Sequence, residues 1–201
     1  MNPLIPFALT ILVCLSPFPT LTAGVADTDG KPVRNDGGSY YIVPYGSNGG
    51  LSLTQRVGGS PCPLYITRTA NSFGVPLRLS SPLRIAFLPS SSPVSIAFIA
   101  NITLCEGRVW QVTTGGQSYV TASGAPSDYY YSFAIEVAGK KKNTYKIRTY
   151  CKSLEGGVEK NCGDLGIIKE NGLLGVTNDE PLIVQFKEAS DPGESLGKSI
   201  M

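Results

Sequence analysis

One arginine in this chain stands where a peptide bond could be offered to another protein's catalytic centre. In Ser80-Ser81-Pro82-Leu83-Arg84-Ile85-Ala86-Phe87, Pro82 fixes one backbone torsion and biases Ser81 towards an extended conformation, so Arg84 lies on a stretch that cannot relax into a helix. Serine proteases bind extended backbone in their clefts, and a segment that is already extended loses less entropy on docking. Arg84 would then be the specificity residue, entering a pocket with an acid at its base, and Arg84-Ile85 the bond presented for cleavage. Taken locally, the same residues also describe an exposed arginine at the head of an ordinary strand running through Ile85, Ala86 and Phe87. Other cations are weaker candidates. Arg78 has the same spacing from Pro76 but lies before the serines, inside the apolar run from Pro76 to Leu79, and Arg68 and the run Lys140-Lys141-Lys142 lie in polar loop sequence.

Chemistry carried out by the chain itself finds little support. The sequence contains no histidine, which removes the Ser-His-Asp and Cys-His arrangements of nucleophilic catalysis. Asp27 with Asp29, or Asp179 with Glu180, could be imagined as paired carboxylates of a glycosidase, yet each pair sits among turn formers that account for it. Gly193 to Ser199 resembles a phosphate loop but is one residue short, with no strand before it and no room for a helix after it. The expectation is a protein that is not an enzyme and uses no cofactor. A net charge of +2 with 16% charged residues leaves no footprint for nucleic acid.

Residues 1–24 read as a secretory signal peptide: an apolar run from Leu4 to Leu15, then Pro17 and Pro19, then small residues at Thr22 and Gly24 that fit cleavage before Val25, with the position after Ala23 nearly as good. The apolar run is too short to span a bilayer, and no later segment is long enough to do so, so a soluble product of the secretory pathway, extracellular or vacuolar, is expected. Removing the leader takes Cys14 with it and leaves Cys62, Cys105, Cys151 and Cys162, an even number in an oxidising compartment. Three pairings are open; proximity favours Cys151 with Cys162, leaving Cys62 with Cys105. Closing loops of those lengths would contribute roughly 3 and 4 kcal/mol, respectively. A zinc site is the competing use of four cysteines, but there is neither a C-x-x-C pair nor a histidine. Asn101-Ile102-Thr103 is an N-glycosylation sequon, making Asn101 a candidate acceptor.

The elements that must position Arg84 are strands. Short runs rich in β-branched and aromatic residues recur between turn formers: Tyr40 to Val43, Leu51 to Thr54, Cys62 to Thr67, Pro76 to Leu79, Pro93 to Ile99, Val109 to Val112, Tyr119 to Thr121 and Tyr131 to Val137. Thr144 to Tyr150, Gly166 to Lys169, Gly172 to Val176 and Leu182 to Phe186 complete the series. The 23 glycines and 15 prolines are spread between these runs, which favours many turns over disorder. No window beyond the leader has helical periodicity, so a closed all-β fold in one domain, 25–201 with a loose tail from about residue 190, is expected.

In order along the chain come Val25-x-Asp27-x-x-Gly30-x-Pro32-Val33, Tyr40-Tyr41-Ile42-Val43, Cys62-Pro63-Leu64, Trp110, Tyr145-Lys146-Ile147, Cys162-Gly163-Asp164-Leu165-Gly166-Ile167 and Pro181-Leu182-Ile183-Val184-Gln185-Phe186. With these motifs the chain resembles the plant Kunitz-type protease inhibitors of the soybean trypsin inhibitor family over nearly its whole mature length. The resemblance implies a β-trefoil, a six-stranded barrel capped by three hairpins, with disulfides Cys62–Cys105 and Cys151–Cys162. It implies a monomer whose partner is a trypsin-like serine protease and places Ser81, Pro82, Leu83, Arg84, Ile85, Ala86 and Phe87 on the inhibitory loop. It also implies an asparagine that braces this loop, located before a Gly-Gly pair. Here the order is Asn35-Asp36-Gly37-Gly38, one residue longer than the simplest alignment, so Asn35 is the first candidate and Asp36 the alternative. Members of the family that keep the scaffold without this activity leave other expectations in play: a storage or carbohydrate-binding protein, or an inhibitor of a cysteine protease, subtilisin or amylase.

Overall fold

Residues 24–99, 104–113, 116–125, 132–139, 141–149 and 163–189 are described by a computed structural model of the chain. Residues 1–23 of the leader, Asn101, Cys151, Cys162 and the tail from residue 190 lie outside them. Among the described residues there are twelve strands and no helix: β1 Tyr40–Pro44, β2 Leu51–Thr54, β3 Leu64–Arg68, β4 Leu77–Ser80, β5 Pro93–Phe98, β6 Val109–Val112, β7 Val120–Gly124, β8 Phe133–Val137, β9 Tyr145–Thr149, β10 Asp164–Ile167, β11 Leu174–Thr177 and β12 Ile183–Glu188.

Six of these strands close on themselves. β1 pairs with β4, β4 with β5, β5 with β8, β8 with β9, β9 with β12, and β12 returns to β1, every pair antiparallel. A ring of this kind leaves no unpaired strand edge. The other six strands form the hairpins β2–β3, β6–β7 and β10–β11. Each hairpin lies between two ring strands in the sequence, so the chain repeats a strand-hairpin-strand unit three times: a β-trefoil. The hairpins join one another as a cap through the β3–β7 pairing and through isolated bridges from Thr67 to Leu173 and from Tyr119 to Gly175.

Alternation along the ring strands fills the barrel. Tyr40 and Ile42, Leu77 and Leu79, Val94, Ile96 and Phe98, Phe133 and Ile135, Tyr145 and Ile147, and Val184 and Phe186 are all buried at every second position. Trp110 enters this core from β6, with Phe98 and Phe133 rings centred 5.9 and 6.0 Å away. Cys62 and Cys105 form a disulfide that ties the segment before β3 to the segment before β6.

Several expected strands shift by a few residues, and one alternative local reading falls. The strand expected from Gly166 to Lys169 instead occupies Asp164–Ile167, because Lys169 to Asn171 turn the chain and the Gly172 amide closes onto the Ile168 carbonyl at 2.8 Å. Ile85 to Phe87 do not form a strand. That segment makes one bridge, Phe87 to Arg34, and its remaining backbone groups are satisfied in a different way.

Candidate functional site

Each hairpin lies between two ring strands at the capped end, so the direct connection from β4 to β5 lies at the barrel's opposite end. It leaves the core at Ser80 and Ser81, which are buried, and returns at Leu88, which is 1% exposed. Between those anchors, Pro82 through Phe87 are all exposed. Leu83, Ile85 and Phe87 make up three of the eight large apolar side chains exposed among the described residues, at 45, 46 and 50%. Such a concentration within five residues reads as a contact surface rather than as ordinary scatter.

The loop is held from beneath by one side chain. The Asn35 amide nitrogen donates to the Leu83 carbonyl at 2.8 Å and to the Ile85 carbonyl at 3.1 Å, with the Ser81 carbonyl more distant at 3.4 Å. Two N–H protons serve three acceptors, so the two shorter contacts carry most of the interaction. The Asn35 carbonyl oxygen accepts the Ser81 amide at 2.6 Å. Both ends of the side chain are therefore engaged, and Arg84 lies between the two carbonyls that the amide grips.

The backbone around Asn35 completes the support. The Asn35 amide donates to the Ala86 carbonyl at 2.9 Å, and the Leu88 amide to the Val33 carbonyl at 2.8 Å. Asp36, the alternative candidate, does a different job. Its amide donates to the Leu79 carbonyl, and its Oδ1 accepts the Ser80 hydroxyl at 2.8 Å, so it fastens the loop's root and leaves the exposed stretch to Asn35. Asp36 adopts φ of 54°, an uncommon region where aspartate and asparagine are better tolerated than most residues.

The expectation of an extended loop needs one adjustment. The Ile85 amide donates to the Leu83 carbonyl at 2.9 Å, closing a three-residue turn centred on Arg84. Arg84 is thus the apex of the loop, exposed, and it forms no ion pair among the described residues.

Of the carboxylates considered for acid-base chemistry, Asp27 has structural work instead. Asp27 is buried, and its Oδ1 accepts the amides of Asp29 and Lys31, closing a turn. Asp179 and Glu180 lie in a connection where the Asp179 amide bonds the Thr177 hydroxyl.

A family model described as trypsin and protease inhibitor, the legume Kunitz family, matches residues 25–188. A trypsin inhibitor of Bauhinia variegata is 34% identical over 175 residues, covering 84% of this chain and 97% of that protein. One from Leucaena leucocephala is 36% identical over 183 residues, covering 85% and 98%, respectively. Among solved structures, the soybean trypsin inhibitor in complex with porcine pancreatic trypsin superposes with a TM-score of 0.65 at 29% identity, covering 84% of this chain and all of that one. A mutant Bauhinia bauhinioides kallikrein inhibitor in complex with human kallikrein 4 gives 0.67 at 27% identity, covering 85% and 99%. That family is made up of inhibitors rather than enzymes. With a closed trefoil and a match that begins at Val25 and runs to the end of β12, the chain belongs to the legume Kunitz family of trypsin and protease inhibitors.

Proposed function

We propose that this protein is a secretory-pathway inhibitor of trypsin-like serine endopeptidases that presents Arg84–Ile85 as a substrate bond and is released only slowly. The observation that carries the reading is the Asn35 amide, which grips a carbonyl on each side of that bond, at Leu83 and at Ile85. The relatives named as trypsin inhibitors and the complexes with trypsin and kallikrein support the choice of target class. The apolar leader and the Cys62–Cys105 disulfide support the secretory route.

Affinity in this mechanism comes from order already present. Docking need not freeze a mobile peptide, because Pro82, the Asn35 contacts and the bonds from Val33 and Asn35 have already fixed the backbone. The Arg84 guanidinium pairs with the carboxylate at the base of the protease pocket, while Leu83 and Ile85 pack on the rim. Attack by the protease serine would form an ester with the Arg84 carbonyl carbon, break its bond to the Ile85 nitrogen and leave Ile85 with a free amine. In a flexible peptide that amine diffuses away. Here the Ile85 carbonyl remains bonded to the same side chain that holds Leu83, so the amine stays in place to attack the ester, re-form the peptide bond and return the serine oxygen.

The test is titration of a trypsin-like protease with the mature, oxidised protein beside its Arg84→Ala variant. Stoichiometric inhibition by the parent, weakened about a hundredfold to several thousandfold in the variant, is the expected result, since the pocket acid would be left unpaired. Failure of both proteins to inhibit would overturn the reading.

A further inference from the structure

The strand pairing beneath the loop brings a second exposed cation to the side of the bond that follows Arg84. We propose that Arg34, standing beside Phe87, is a second recognition point that selects proteases with carboxylates on the rim of the cleft that receives residues after the cleaved bond. The proposal rests on the assignment of Arg84–Ile85 as the presented bond and adds a determinant that comes from a different segment.

The geometry follows from two hydrogen bonds. The Asn35 amide donates to the Ala86 carbonyl, and the Leu88 amide donates to the Val33 carbonyl, which makes Arg34 and Phe87 the directly opposed pair between those bonds. In an antiparallel ladder such a pair has its side chains on one face at close approach, about 4.5 Å between Cα atoms. That face is the solvent side. Val33 and Leu88, the alternating neighbours, are buried, whereas Arg34 is exposed and Phe87 is half exposed.

Arg34 is also positioned rather than free to wander at its root. Its own amide donates to the Tyr40 hydroxyl at 3.0 Å, and its stem passes over Gly37, where an added Cβ would lie 3.6 Å from Arg34 Cβ and 3.8 Å from Cδ. Among the described residues no carboxylate pairs with its guanidinium. Phe87 is the third residue after the presented bond, so a protease that accommodates Ile85, Ala86 and Phe87 brings its rim up to Arg34. A cation held at its root there favours an acidic rim and repels a basic one. Charges at the edge of an interface act mainly on the association rate and its salt dependence.

The experiment measures association rates at low and high salt for the parent, Arg34→Glu and a control, Arg56→Glu. Arg56 lies between β2 and β3 in the hairpin cap, and its substitution changes net charge equally. The probes are one trypsin-like protease with carboxylates on the rim that receives the residues after the cleaved bond, and its charge-reversed variant. Arg34→Glu should slow association with the acidic-rim protease about tenfold at low salt, speed it with the reversed variant, and lose most of both effects at high salt, while Arg56→Glu changes both rates similarly and weakly. Equal effects of the two substitutions, or none from Arg34→Glu, would overturn the proposal while leaving inhibition through Arg84 intact. If the parent inhibits neither protease, the assignment of the presented bond falls, and this proposal falls with it. Melting temperatures of the two variants, both at exposed positions, check that each remains folded.

Discussion

Asn35 concentrates several functions in a group with one acceptor and one donor end. Replacing it with alanine would remove the contacts to Ser81, Leu83 and Ile85 together; the exposed loop carbonyls can turn to water, whereas the amide of buried Ser81 loses its acceptor. Asn35→Ala should therefore lower the melting temperature by only a few degrees while weakening inhibition by about 2–3 kcal/mol, with faster hydrolysis of Arg84–Ile85. Asn35→Asp is the sharper test. A carboxylate can still accept the Ser81 amide, but it has no proton for Leu83 or Ile85 and would set negative charge against their carbonyls. It should inhibit less well than the alanine variant, and inhibition constants measured beside cleavage rates would show the order. This is the scale at which sequence was least sufficient. Pro82 and Arg84 stand out by residue type, although Pro76-Leu77-Arg78 repeats their spacing within β4; Asn35 and Asp36 are neighbours of similar shape. Only the fold decides which side chain lies under the loop and which one turns towards Ser80. Arg34 gave no signal at all, because its importance depends on a cross-strand partner more than fifty positions away in the chain.

At the scale of elements, period-two alternation made the ring strands readable, since each buries every second side chain. What it could not supply was pairing, because alternation states which face is apolar and not which strand lies beside it. The segment between β3 and β4 illustrates the difference. Gly74 has φ of 80°, and a Cβ there would collide with the Leu51 carbonyl, which accepts the Val75 amide at 2.9 Å. This close approach to β2 sets where β4 begins and hence where the Arg84 loop is launched. Gly74→Ala should cost about 3 kcal/mol or more, seen as poor yield of folded protein or a lowered urea midpoint. A milder effect is expected across β8, β9 and β10. Lys146 lies 3.0 Å from Asp164 and 3.5 Å from Glu136, and Arg148 lies 3.3 Å from Glu136 and 3.6 Å from the other Asp164 oxygen. These side chains are between 22 and 43% exposed, so the network is partly screened. Asp164→Asn should lower stability by about 1 kcal/mol, with the difference from the parent shrinking in urea melts at molar salt.

For the molecule as a whole, inhibition and global stability should be separable. The Arg84 loop runs from β4 to β5, whereas the Cys62–Cys105 bridge joins the segments before β3 and before β6 and encloses that loop only as part of a much longer span. The loop's shape is set locally by Asn35, by the bonds from Val33 and Asn35, and by the buried anchors Ser81 and Leu88, none of which is bonded to either cysteine. The bridge acts instead on the unfolded chain, where a sequence separation of 43 corresponds to about 4 kcal/mol of lost loop freedom. Replacing Cys62 and Cys105 together with serine should lower the melting temperature by about 10 °C, given the usual unfolding entropy of a domain this size. Below that melting point the inhibition constant should stay within about twofold of the parent. Inhibition lost while the variant is still folded would mean that strain or order is transmitted from the hairpin cap through the barrel to the loop. Inhibition kept until the melting transition would mean that the trefoil supplies a stable frame and that the shape offered to the protease is made by the residues immediately beneath it.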